Sequence, residues 1–155
     1  MGVTALGCDA KRAEEGKSIV KHQVEKCKTL STVEDFDAAV KLPRVVIHID
    51  VDWAVQAIQS RAVVAEFFET VNKDSTAGPV AIRRLDSSEQ SGPLFEHVAE
   101  WLKNANSDWR LLAIGCGAIL WVRDGTVVAS VDDARSSGLD ALRNTTRKVF
   151  GRQAM

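Results

Sequence analysis

The sequence predicts an α/β fold, a three-layer sandwich in which one mixed sheet of about four to five strands carries helices on both faces. Three observations predict it. Apolar segments typical of strands alternate with amphipathic segments typical of helices along most of the chain. A turn signal late in the chain joins two of the strands as a hairpin. The length of 155 residues suits one ordinary domain of this kind rather than two.

The composition excludes several classes of protein. Hydrophobic residues make up 45% of the chain and charged residues 26%, which is typical of a soluble globular domain. The 20 basic and 21 acidic side chains give a net charge of -1, so charge provides no reason to expect nucleic acid or an anionic membrane as a partner. The longest apolar runs are far shorter than the roughly 18 residues that a membrane span needs.

The cysteines favour a reducing compartment. Cys8, Cys27 and Cys116 are widely spaced and form no Cys-x-x-Cys pair, which excludes a disulfide framework and a four-thiolate zinc site. The beginning of the chain lacks the basic start and apolar core of a secretory signal. We therefore expect a cytoplasmic protein. The alternative is lipidation at Cys8, because the segment from Ala5 to Cys8 loosely resembles a lipoprotein cleavage site.

The chain is expected to divide into an arm and one domain. Residues 1–20 carry glycines and a charged cluster with little apolar periodicity, so we expect a partly flexible N-terminal arm. The domain is expected to cover residues 21–152. Its first element is a weak edge strand that ends near Leu30.

The first helix and the central strand carry the clearest local signals. The segment Ser31-Thr32-Val33-Glu34 matches a capping box and predicts a helix that ends at Leu42. Residues 44–51 form an apolar run rich in β-branched side chains, which is typical of a central strand that is buried on both faces.

The rest of the chain continues this alternation. The further predicted elements are a helix over 56–72, a strand over 79–85, a helix that begins at Pro93, a strand over 118–122, a return strand over 126–131 and a helix over 137–150. The residues predicted to form the buried stripe of the long helix are Ala57, Ile58, Ala62, Ala65, Phe68 and Val71. Strands that are joined by helices are expected to be parallel, and the hairpin strands antiparallel.

In this order of elements the chain resembles the thioredoxin superfamily, over roughly Val24 to Gly151. An apolar strand ends in Asp52-Trp53 before a long helix, and residues 118–125 match the family's later hairpin. The resemblance implies the thioredoxin-like sandwich.

The active positions of the family are replaced in this chain. The family has Trp-Cys-x-x-Cys at the start of the long helix and a cis-proline before the fourth strand. Here alanines, Ala54 and Ala57, stand at both cysteine positions, Gly117 stands at the proline position, and His48 at the position of the buried acid. Dithiol chemistry needs one thiolate to attack and a second thiol to resolve the mixed disulfide, so the standard reaction is excluded. The peptide bond before Gly117 is expected to be trans, since a non-proline cis bond costs about 2.5–4 kcal/mol.

We therefore expect a redox-inactive protein-binding module, such as a chaperone or assembly factor, that holds another protein or an extended peptide. The predicted binding residues are Trp53, Ala54, Val55, Gln56, Ala57, Cys116 and Gly117. No catalytic residue, metal or cofactor is expected. The rival hypothesis is a thiol redox protein that uses Cys116 as its single reactive cysteine. A third is a domain that only stabilises a larger complex.

Two further clusters have alternative interpretations. His48, Asp50 and Asp52 alternate along a strand and offer an imidazole and two carboxylates, which is a set that can hold a divalent metal. We favour a hydrogen-bonded histidine near the core instead. The basic residues of the C-terminal segment are Arg135, Arg143, Arg147, Lys148 and Arg152. An RNA-binding patch is the alternative there to the solvated helix face that we expect.

Overall fold

The computed structural model describes residues 27–71 and 79–151, which fold around one central sheet. The elements in chain order are β1 (Cys27–Leu30), α1 (Val33–Val40), β2 (Arg44–Asp50), α2 (Val55–Val71), β3 (Ala81–Asp86), α3 (Pro93–Asn104), a 3₁₀ helix (Trp109–Leu112), β4 (Ala118–Arg123), β5 (Thr126–Val131), α4 (Ala134–Ser137) and α5 (Leu139–Phe150). The predicted arm over 1–20 and the ends of the predicted domain, 21–26 and 152, lie outside the described residues.

The sheet has the strand order β1-β3-β2-β4-β5. Strands β1, β3 and β2 are parallel, β4 is antiparallel to β2, and β5 is antiparallel to β4. Helices α1 and α3 cover one face, and α2 and α5 cover the other. This arrangement confirms the predicted mixed sheet with helices on both faces.

The direction of β4 corrects one prediction. Strands joined by a helix were expected to be parallel, yet β4 follows α3 and runs antiparallel to β2. The connection after α3 includes the 3₁₀ helix, whose residue Leu112 accepts a hydrogen bond from the Ser87 hydroxyl at 2.6 Å, just after β3. The chain therefore returns to the carboxyl end of β3 before β4 begins, and β4 must run the opposite way.

The central strand β2 supplies both halves of the core. Val45, Ile47 and Ile49 pack with α1 and α3, whereas Val46 packs with α2 and α5. Trp121 of β4 is fully buried on the α2 and α5 side. At the edge of the sheet, the ladder between β4 and β5 has a bulge that leaves Val128 without an opposite residue.

The first and last helices begin and end differently from the prediction. The N-cap of α1 is Thr32, whose hydroxyl accepts from the Asp35 amide at 3.0 Å. The Asp35 carboxylate in turn accepts from the Ser31 amide, so it takes the role predicted for Glu34. The last helix, predicted over 137–150, begins at Leu139 instead, and Gly138 separates it from the short helix α4, which was not predicted.

The buried stripe of α2 also differs from the prediction. The buried residues of the helix are Ala57, Ser60, Val64, Phe67, Phe68 and Val71. Ile58, Ala62 and Ala65 face solvent instead. At helical spacing from Ala57, the buried stripe passes through Ser60. The prediction left Ser60 out because it counted only apolar side chains and serine is polar. Of the helices described, none is long and apolar enough to cross a membrane.

Candidate functional site

The predicted binding residues lie where β2 ends, where α2 begins and in the loop before β4. A backbone hydrogen bond marks the start of α2, where the Ile58 amide donates to the Ala54 carbonyl at 3.1 Å. Ala54 and Ala57 are buried, so their methyl groups do not contribute to the exposed surface of the site. Val55 and Gln56 lie between them and are exposed.

The loop Gly115-Cys116-Gly117 packs directly against this helix start. Both glycines have positive φ, +72° at Gly115 and +76° at Gly117. A Cβ at Gly115 would lie 2.8 Å from the Ala54 Cβ, and one at Gly117 would lie 2.6 Å from the Ser60 Cβ. Only glycine fits such a close approach in this backbone conformation, so the two glycines allow the loop to touch α2.

Trp53 is fixed from one side and open on the other. Its indole Nε1–H donates to the backbone carbonyl of Ser88 at 3.1 Å, and the Asp52 amide donates to the Ser88 hydroxyl at 3.0 Å. The far edge of the indole ring approaches Gly115. The β3–α3 connection and the glycine loop therefore hold the ring, although half of it is in contact with solvent.

Further exposed apolar side chains lie on the two segments that meet at this ring, the start of α2 and the loop before β4. Trp53 is 51% exposed, Val55 65%, Ile58 46% and Ile114 41%. Val55 and Ile58 are one turn apart on α2, and Ile114 directly precedes the glycine loop. We refer to these four side chains as the Trp53 surface.

His48 lies beneath the glycine loop. It is 3% exposed, and its ring stands edge-on to Phe68. Its Nε2 has no hydrogen-bond partner among the described residues and would lie 3.6 Å from a Cβ at Gly117. Burial lowers the pKa of His48 to about 4, so the ring is neutral at physiological pH. The sequence predicted a buried, hydrogen-bonded histidine. His48 is buried as expected, but its Nε2 has no hydrogen-bond partner among the described residues.

The Asp50 carboxylate is paired with two arginines. It is 2% exposed and accepts from Arg61 of α2 and from Arg84 of β3, both at 2.9 Å. Asp52 is exposed in the following turn. Within 27–71 and 79–151 there is no group of three or more His, Cys, Asp or Glu residues that could hold a metal ion.

Comparison with solved structures identifies the architecture. Oxidised thioredoxin from Plasmodium falciparum is similar over 81% of this chain and 99% of its own, with a TM-score of 0.52 and 16% identity. A thioredoxin variant from Halobacterium salinarum is similar over 84% of this chain and 96% of its own, with a TM-score of 0.55 and 15% identity. A putative oxidoreductase with a thioredoxin fold reaches a TM-score of 0.56 at 11% identity, over 79% of this chain and 96% of its own.

The protein has the thioredoxin fold. No protein-family model matches the sequence, and the search of curated proteins gave no significant match. The thioredoxin fold is thus established by the shape of the protein alone.

In this thioredoxin-fold protein, Cys116 is the cysteine of residues 27–71 and 79–151 that belongs to the loop beside α2. It is half-buried, and its Sγ lies 3.8 Å from the Ile114 carbonyl oxygen. Burial raises the pKa of the thiol, and the carboxylates of Asp133 and Asp132 raise it further. At neutral pH the side chain is therefore a thiol rather than the thiolate that acts as a nucleophile.

The backbone of Cys116 is also engaged. Its carbonyl accepts a hydrogen bond from the Ser60 hydroxyl at 3.0 Å, and the Gly117 carbonyl accepts from the Ala134 amide at 3.1 Å. The described ranges contain no cis peptide bond, so the bond before Gly117 is trans as expected. Two carbonyls of the loop therefore point to the protein's own α2 and α4.

Several residues of the site were not identified from the sequence. Ser60 anchors the loop, Ser88 anchors Trp53, and Arg61 and Arg84 neutralise Asp50. Ser60 carries a readable signal, because it lies three residues after the buried Ala57 on the same helix face. The others meet across 34 or more residues of sequence or come from exposed faces, so local patterns do not reveal them.

Two of the basic C-terminal residues form hydrogen bonds with different side chains of the protein. Arg135 bonds to Gln59 of α2, and Arg147 bonds to Asn144 at 3.0 Å. Lys148 is exposed on α5, and Arg152 lies outside the described residues. The expected solvated helix face and the RNA-binding alternative both remain predictions.

Proposed function

We propose that this thioredoxin-fold protein binds a partner protein, or an extended segment of one, through the Trp53 surface and catalyses no dithiol–disulfide exchange. One observation carries the proposal. Among the described residues, five large hydrophobic side chains are exposed, and four of them form the Trp53 surface. Clustered exposed apolar side chains are typical of interaction sites. They surround a site where both family thiols are replaced by Ala54 and Ala57.

The fixed orientation of Trp53 supports binding. Ordering a side chain on association costs free energy, and the hydrogen bond to Ser88 has already ordered this ring. Tryptophan is also enriched among the residues that contribute most to the free energy of binding at protein interfaces. Trp53 is therefore the residue on which we expect affinity to depend most.

We do not expect the partner to bind by adding a β-strand along the backbone of Cys116 and Gly117. An added strand needs free backbone groups on the edge it joins. Here the carbonyls of Cys116 and Gly117 already accept bonds from Ser60 and Ala134. We propose that the partner is recognised mainly by side-chain contacts with the Trp53 surface.

The rival hypothesis, a single-thiol redox protein, receives less support. Such a cysteine needs a lowered pKa, because the thiolate is the nucleophile. Burial and two carboxylates raise the pKa of Cys116 instead. Location in the cytoplasm and the role as a chaperone or assembly factor remain predictions.

Site-specific photo-crosslinking tests the proposal. A photo-reactive amino acid is placed at the exposed position of Val55, and in a control protein at Glu66, which is exposed farther along α2. We expect discrete protein adducts from position 55 only, and their loss when Trp53→Ala is added. Binding of the purified adduct partner is then measured by calorimetry. Equal adducts from both positions, or calorimetric affinity unchanged by Trp53→Ala, would refute the Trp53 surface as the binding site.

A further inference from the structure

A groove of about 720 Å³ opens beside the Trp53 surface. It lies between the carboxyl ends of β1 and β3 and the first turns of α1 and α3. Its apolar floor includes Leu30, Leu85, Val98 and Leu112. The groove is large enough for a long side chain of a partner.

The charged side chains that line this groove are all acidic. Four carboxylates line it, those of Glu34, Asp52, Asp86 and Glu89, and its lining contains no lysine, arginine or histidine. Burial raises the pKa of Asp86, but hydrogen bonds from Ser88 and the charge of Arg84 outweigh burial and lower it overall. The Asp86 carboxylate is therefore firmly anionic at neutral pH.

The groove and the Trp53 surface are continuous. Asp52 lines the groove and precedes Trp53 directly in the chain. Ser88 also lines the groove, and its carbonyl accepts the Trp53 Nε1–H bond. A segment that covers the Trp53 ring therefore passes the rim of the groove.

Helix dipoles oppose this negative field only in part. The first turns of α1 and α3 each present a positive end, equivalent to about half a charge. The Thr32 hydroxyl already accepts from one amide at the start of α1. Arg84, which lies outside the groove lining, is 3.8 Å from the Asp86 carboxylate and offsets one of the four negative charges. The other three still exceed the partial charges of the helix ends, so the groove favours a cation.

We propose that the groove takes a lysine or arginine side chain of the same partner segment whose apolar residue contacts Trp53. This inference rests on the proposed function and adds the chemistry of the partner. The long apolar stem of either side chain fits the floor, while its charged end meets the carboxylates of the rim. An acidic segment or a nucleic acid is repelled by the same charges.

Titration with synthetic peptides tests the proposal. The probes share a leucine–phenylalanine–leucine centre and carry arginine, glutamine or glutamate flanks. Binding is followed by NMR through the Trp53 indole N–H signal, which reports contact with the Trp53 surface. We expect the arginine peptide to bind about fivefold more tightly than the glutamine peptide at low salt. The glutamate peptide should bind most weakly, and added salt should reduce the differences.

The outcomes separate the two proposals. If the arginine and glutamine peptides shift the Trp53 signal with equal affinity, the cationic partner is refuted and the proposed function stands. If no peptide shifts the Trp53 signal, both proposals are refuted.

A pair of matched variants tests whether the arginine of the peptide binds in the groove. Glu34 and Glu89 are exposed groove residues, and the double variant Glu34→Gln, Glu89→Gln should lose most of the fivefold preference. The control variant Glu66→Gln, Glu69→Gln removes the same charge from α2, outside the groove lining, and should retain the preference. An equal effect of the two variants would show that net charge, and not the groove, selects the peptide.

Discussion

The indole Nε1–H of Trp121 donates a hydrogen bond to the hydroxyl oxygen of Thr146 at 2.9 Å, inside the layer between the sheet and α5. Both residues are buried, and the Thr146 hydroxyl itself donates to the Leu142 carbonyl at 2.8 Å. The largest side chain of this core is thus fixed to a helix by its single polar atom. The bond sets the position of α5 on β4.

Replacing Thr146 with valine should destabilise the protein. The substitution keeps the shape of the side chain but leaves the buried Trp121 N–H without an acceptor, which costs about 1–3 kcal/mol. Urea denaturation measures the loss. Thr145→Val is the matched control, because Thr145 donates to the carbonyl four residues earlier at 2.9 Å in the same helix but does not contact Trp121. Equal losses in the two variants would contradict the assigned role of the Trp121 bond.

Gly117→Ala should destabilise the protein more than Gly92→Ala. Each variant places an alanine at positive φ, which costs about 1–3 kcal/mol. At Gly92 the new Cβ meets nothing within 4 Å, whereas at Gly117 it meets Ser60 at 2.6 Å. The contact with Ser60 adds about 1–3 kcal/mol to the destabilisation caused by Gly117→Ala. Thermal denaturation of the two variants compares the losses, and a larger loss at Gly92 would disprove the close approach of the loop to α2.

His48 should make the free energy of unfolding depend on pH between about 6.5 and 4. The folded protein holds the pKa of His48 at about 4, whereas the unfolded chain has an ordinary value near 6.5. The unfolded state therefore binds the proton first as pH falls. The contribution is complete above about pH 6.5 and is lost progressively towards pH 4.

The comparison protein for this prediction is His48→Gln, which has no titrating ring. From pH 7 to pH 5 the wild type should lose about 2 kcal/mol more stability than the variant. Urea denaturation at both pH values measures the difference. A parallel loss in the two proteins would show that the folded state does not keep His48 neutral.

Cys116 should react slowly with iodoacetamide at neutral pH. Burial and the carboxylates of Asp133 and Asp132 raise its pKa, so the reaction should reach half of its full rate at a higher pH than a free cysteine. Asp132→Asn removes one carboxylate and should shift that midpoint downward. Mass spectrometry assigns the modified site, and urea-unfolded protein gives the reference rate. Fast reaction of the folded protein with a midpoint below about 8.5 would favour the single-thiol redox hypothesis instead.

Much of the fold follows from local sequence patterns. The β-branched run of β2 and the turn at Asp124-Gly125 predict their elements because burial and turn geometry act on neighbouring residues. The core position of Trp121 follows from its place in an apolar hairpin strand. The direction of β4 does not follow, because it depends on a contact between Ser87 and Leu112 that lie 25 residues apart.

The candidate site was only partly predictable for the same reason. The resemblance to thioredoxins placed Trp53, Ala54 and Ala57 at the start of the long helix, and the structure brings Trp53 and Ala54 against Gly115. The groove was not foreseen. Its carboxylates come from the first turn of α1, the turn after β2, the last residue of β3 and the loop before α3, so no single stretch of sequence presents all four together.

The bulge at Val128 has a consequence for aggregation. The outer strand β5 consists of Thr126, Val127, Val128, Ala129, Ser130 and Val131, and none of them is charged. A regular, uncharged edge strand is a template on which further chains add and precipitate. The bulge strengthens the local twist and disturbs the spacing of the edge hydrogen-bonding groups. One unpaired valine thus limits growth of the sheet at an edge that charge does not protect.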